Sequence, residues 1–102
     1  MEKGYWIASY RSVSDPARLD LYAKLGLPAI EAGGGRVLAR GIAARTYEGG
    51  TNQRTVVIEF DSVEQAIATY ESPAYQAAVA VLKGAVEREI RIVEGAPAIT
   101  FL

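Results

Sequence analysis

The sequence predicts an α+β domain with the element order β-α-β-β-α-β and an antiparallel four-stranded sheet. Three observations predict it. Four segments enriched in β-branched and aromatic residues alternate with stretches of helical periodicity. Each helix opens on a capping signal, and a glycine-rich hairpin loop joins the two middle strands. At 102 residues, half of them apolar, the chain has the length of one ordinary domain with a single core, taken here as residues 1–102.

The first strand is read in "GYWIASYR" (4–11), which has no helical stripe and ends before the turn signal "SVSDP". Asp15 followed by Pro16 fits an N-cap with proline at the first helical position, where its missing amide costs nothing. Leu19, Tyr22, Leu25 and Ile30 recur at roughly helical spacing, so a helix is expected over about 16–32, weakened by Gly26 and kinked near Pro28. The "GGG" at 33–35 terminates it with residues that tolerate positive φ. The segment "RVLARGIAARTY" (36–47) suits a long strand bent or bulged at Gly41. "EGGTNQ" (48–53) is the hairpin loop, and "RTVVIEF" (54–60) carries the strongest strand signal.

Ser62 and Gln65 have capping-box spacing and open the helix "VEQAIATYE". Ser72 before Pro73 repeats the cap-then-proline signal, and Tyr75, Val79, Leu82 and Val86 continue at helical spacing to about residue 86. "ESP" is therefore a joint where one helix stops and another starts. "REIRIVEG" (88–95) alternates with period two and forms the last strand, followed by an apolar tail, "APAITFL". The whole order is that of ferredoxin-like domains.

In such a fold the helices cover one sheet face. Val56, Ile58 and Phe60 face opposite to Thr55, Val57 and Glu59, and Trp6, Ala8 and Tyr10 opposite to Tyr5, Ile7 and Ser9. Both faces are substantially apolar, so a homodimer through the sheets is expected. Residues Ile99 to Leu102 are expected to pack on the partner or on a sheet edge.

Composition excludes several functions. A net charge of −1 argues against a nucleic-acid partner. There is no cysteine, so disulfides and thiolate chemistry are absent. There is no histidine either, which removes the commonest general base and metal ligand. The start "MEKGYW" has no apolar signal region, and no stretch has the length of a membrane span. A cytoplasmic protein without membrane partner, metal or cofactor is the expectation.

The runs "GGRVLARG" (34–41), "VVIEF" (56–60), "YESPAYQ" (70–76) and "IVEG" (92–95), in that order, resemble the small bacterial family known as domain of unknown function 1330. The resemblance spans about residues 3–95 and leaves 96–102 as a tail. It implies membership of the dimeric α/β barrel superfamily, in which two ferredoxin-like subunits press their sheets together. It implies no reaction. Ala74 stands where the family usually has glutamate, Thr69 where it often has tryptophan, and Ile42 where a glycine is common. Whatever the glutamate does in relatives is not available here.

Glu59 is the candidate catalytic residue. A carboxylate between Ile58 and Phe60 would have a raised pKa if it faced a dry barrel interior; an arginine partner on a neighbouring strand is the alternative. Arg40, with Arg36 and Arg45 on the same segment, is a candidate anchor for an anionic ligand. Tyr70 and Tyr75, which flank the helix joint, and Trp6 are further candidate ligand-binding residues, weighed against plain packing. For Trp6, Tyr5 and Tyr10 the core of the dimer interface is the preferred reading. Ser72 is a cap, since no histidine activates it. The "GGG" follows a helix, unlike a phosphate loop, and no acidic run has calcium-loop spacing.

Two functions follow. The preferred one is a module binding a small organic molecule, anionic or aromatic, in a cavity between sheet and helices. The alternative is a cofactor-independent oxygenase or isomerase, a chemistry that several members of the superfamily this chain resembles carry out. The surroundings of Glu59 discriminate: an unpaired carboxylate in a closed cavity favours the enzyme, a glutamate saturated by arginine the binder.

Overall fold

A computed structural model describes residues 2–97. Strand β1 (Gly4–Val13) is followed by helix α1 (Pro16–Ala32), strands β2 (Arg36–Ile42) and β3 (Arg54–Phe60), helices α2 (Val63–Glu71) and α3 (Pro73–Leu82), and strand β4 (Val86–Glu94). The sheet has the order β2-β3-β1-β4 with antiparallel pairing throughout, the ferredoxin-like arrangement. No helix among the described residues is long and apolar enough to cross a membrane.

The capping signals act as expected. Asp15 accepts from the Arg18 amide at 3.2 Å with Pro16 beside it, and Ser62 accepts from the Gln65 amide at 3.1 Å. Ser72 serves two helices. Its hydroxyl donates to the Thr69 carbonyl at 2.7 Å, closing α2, and accepts from the Tyr75 amide at 3.3 Å, opening α3. The Arg18 side chain donates to the carbonyls of Val81 (3.0 Å) and Lys83 (2.6 Å) and so ties the start of α1 to the end of α3.

The core lies between the helices and one sheet face. Trp6, Tyr75, Phe60 and Ile58 are its largest fully buried side chains. The Trp6 ring stacks on Phe60 with centroids 5.9 Å apart and meets the Tyr75 ring edge-on at 4.8 Å. At the exit of α1 the backbone of Gly33 lies against α2: a Cβ there would stand 2.0 Å from the Thr69 hydroxyl oxygen. Gly34 follows with φ +92, a conformation that favours glycine.

Several expected boundaries move. β2 stops at Ile42, not near residue 47, because β3 begins only at Arg54 and Ile42–Arg54 is the last register pair. Strand-like composition beyond that point finds no neighbour to bond with, and the connection lengthens to residues 43–53. The bulge in β2 lies between Val37 and Ala39, not at Gly41. α3 ends at Leu82 instead of near 86, whereas α1 keeps its expected span, Pro16–Ala32, with Pro28 inside it. The predicted packing of Ile99–Leu102 lies outside the described residues.

Candidate functional site

Register sorts the strand residues onto two faces. Trp6, Ala8 and Tyr10 pair with Ile92, Ile90 and Arg88 on β4, and Trp6 and Ala8 with Ile58 and Val56 on β3. These face the helices. Tyr5, Ile7 and Ser9, with Glu59, Val57 and Thr55, form the open face. Trp6 and Tyr10, read from sequence as interface core, are instead 1% and 4% exposed beneath the helices, and Tyr5 alone of the three lies on the open side. Period-two alternation separates the faces but does not say which one the helices cover.

Glu59 stands on the open face, paired across from Tyr5 and Arg36. Its carboxylate accepts from the Tyr5 hydroxyl at 2.9 Å and from the Arg36 guanidinium at 3.1 Å. Arg36 also reaches Asp61 at 3.1 Å. The Tyr5 hydrogen bond, followed by that from Arg36, holds the Glu59 carboxyl below the usual glutamate range. Of the two readings of Glu59 this is the arginine partner on a neighbouring strand, with Tyr5 added, and the engaged carboxylate is a weaker base for it.

On the helix side a pocket of about 70 Å³ lies between α1 and the sheet. Leu19, Leu27, Ile30, Val37, Val56 and Ile58 supply apolar walls, and Trp6 contributes to the lining. Arg40, Arg54 and Arg88 bring cationic groups to it, and Asp20 is the only carboxylate among the lining residues. Of the residues singled out from sequence, Arg40 and Trp6 thus meet at one cavity. Tyr70 borders a separate groove with Ile67, Ile90 and Ile92. Tyr75 is fully buried behind the pocket, bonded through its hydroxyl to that of Tyr22.

Sequence reasoning missed Tyr22, Arg54 and, above all, Arg88. The Arg88 guanidinium donates to the hydroxyls of Tyr10 (3.1 Å), Tyr22 (3.3 Å) and Tyr75 (3.2 Å). Its central carbon lies 5.0 Å from the Tyr22 ring centroid and 5.6 Å from that of Tyr10, within cation–π range. Burial pushes the Tyr10 and Tyr75 hydroxyls above the ordinary phenol range, so both are protonated at neutral pH. The signal that exposes this cluster is phase: Arg88 shares its strand face with Ile90 and Ile92, so a cation occupies an apolar register.

Residues 3–96 match the model of the family described as domain of unknown function (DUF1330). No curated protein matches the chain. Among solved structures, a protein of unknown function from Rhodopseudomonas palustris superposes with a TM-score of 0.71 at 16% identity, covering 94% of this chain and 84% of that one. A dimeric ferredoxin-like protein of unknown function from Thermobifida fusca gives 0.62 at 18% identity, with 91% of each chain covered. SnoaB, a cofactor-independent oxygenase from Streptomyces nogalater, gives 0.64 at 7% identity, covering 97% of this chain and 98% of that one. At these identities the likeness is one of fold.

Proposed function

The chain belongs to the DUF1330 family, and from that premise and the pocket geometry we propose that it is a homodimeric protein that binds a small organic molecule between α1 and the sheet. The observation that carries this reading is the helix-side pocket itself, with apolar walls and three arginines around it. The homodimer is supported by the open face. Ile7 and Val57 sit at its centre, only partly buried, and Val93 beside them is 47% exposed. The Thermobifida fusca relative in fold is described as dimeric.

The binding reading is preferred to a cofactor-independent oxygenase or isomerase on chemical grounds. Proton abstraction needs a base in reach of the substrate. Glu59 lies on the opposite sheet face and is occupied by Tyr5 and Arg36, while Asp20 at the pocket is an exposed carboxylate.

Trp6 is the single tryptophan of the chain and lines the pocket, so its emission reports occupancy. Titration with small organic compounds, from acetate-sized to monocyclic, is expected to change Trp6 fluorescence saturably. Ala23→Phe, which fills the pocket from α1, abolishes the change in a protein that remains folded by circular dichroism. A change that persists in Ala23→Phe, or no response to any compound, overturns the reading.

A further inference from the structure

Arg88 has no anionic partner among the described residues, although its guanidinium is withdrawn among three tyrosines. Removing a guanidinium from water without a counter-charge is costly, and neutral hydroxyls compensate only in part. Proton counting shows the same imbalance. Each tyrosine oxygen accepts from Arg88, so the three hydroxyl protons need other acceptors. One proton is used between Tyr22 and Tyr75. The Tyr10 proton, and the Tyr22 proton when Tyr75 is the donor of that pair, have no protein carbonyl or carboxylate to donate to among the described residues, and Tyr10 and Tyr22 both border the pocket.

The pocket's charge has the same sign, with three arginines against one aspartate in its lining. Its volume of about 70 Å³ is below the roughly 150 Å³ of a dry cavity that holds benzene. The occupant is therefore small, or reaches only partly inside.

We propose that Arg88, with the Tyr10 and Tyr22 hydroxyls, forms a seat for the carboxylate of a small organic acid whose apolar body lies against Leu27, Ile30 and Val37. A planar carboxylate matches the guanidinium fork and accepts the surplus hydroxyl protons. Arg40 and Arg54 add long-range attraction for the same charge. This inference rests on the pocket being a ligand site.

The test compares matched acids and amides, namely acetate with acetamide, benzoate with benzamide and phenylacetate with phenylacetamide, through Trp6 fluorescence of the full chain. At least one acid is expected to bind ten times or more tightly than its amide. Arg88→Met removes that preference, and Tyr22→Phe, an independent and milder change, reduces it several-fold, with the loss larger for the acid than for its amide. Equal affinity for acid and amide overturns the seat and leaves the pocket reading standing. A preference that survives both substitutions also overturns the seat. If none of the six compounds binds, the pocket reading falls as well.

Discussion

Glu59 and Arg88 reverse the roles their sequence neighbours give them. A glutamate between isoleucine and phenylalanine reads as desolvated, yet β2 brings Arg36 beside it and β1 brings Tyr5. Neither partner is visible in one strand's sequence, because register across strands decides it. Since the folded-state pKa of Glu59 is lowered, native protein binds this proton more weakly than the unfolded chain. Its contribution to stability is then present above the ordinary glutamate value of about 4.3 and is lost as pH falls through the lower folded value. Urea midpoints of wild type and Glu59→Gln are expected to differ near neutral pH and to converge as the pH falls below the ordinary glutamate range. A gap that does not depend on pH contradicts this account of the site. Arg88, by contrast, was legible only as one charge in an alternating strand. Its importance comes from Tyr10, Tyr22 and Tyr75, which lie on β1, α1 and α3, and no local pattern joins them.

At the scale of elements, punctuation was more legible than extent. The two serine-or-aspartate-then-proline steps and the capping box each mark a true helix start, because capping is chemistry between near neighbours in sequence. Strand lengths were less legible, since β2 ends where its partner β3 runs out. Ser72→Ala removes a group that closes α2 and opens α3, and is expected to cost about 1 kcal/mol, or up to ~2. Thermal or urea unfolding measures it; a change near zero shows that the joint is held by packing alone. Gly33→Ala drives a methyl toward the buried Thr69 side chain and is expected to cost about 1–3 kcal/mol. Thr69→Ala in the same chain should recover part of that loss, because it removes the colliding atoms.

For the whole molecule, β-α-β-β-α-β order predicted the sheet and its topology, while the covered face was not legible. Both phases of β1 carry aromatics, so the strand's sequence does not tell that Trp6 and Tyr10 lie beneath the helices. The open face carries Ile7 and Val57 on adjacent central strands, where a second copy would bury them. Sedimentation of the wild type is expected to give a species of twice the 10.9 kDa chain, and Ile7→Lys or Val57→Lys a folded monomer. Neither residue lines the helix-side pocket, so ligand binding is expected to persist in both variants. The measurement that tests the central claim most directly is a methyl-resolved NMR map recorded while acetate, benzoate and phenylacetate are each titrated into the protein. The account predicts saturable shifts at Leu27, Ile30 and Val37 in the pocket, with Val93 on the open face unmoved; shifts confined to the open face, or none at all, would contradict it.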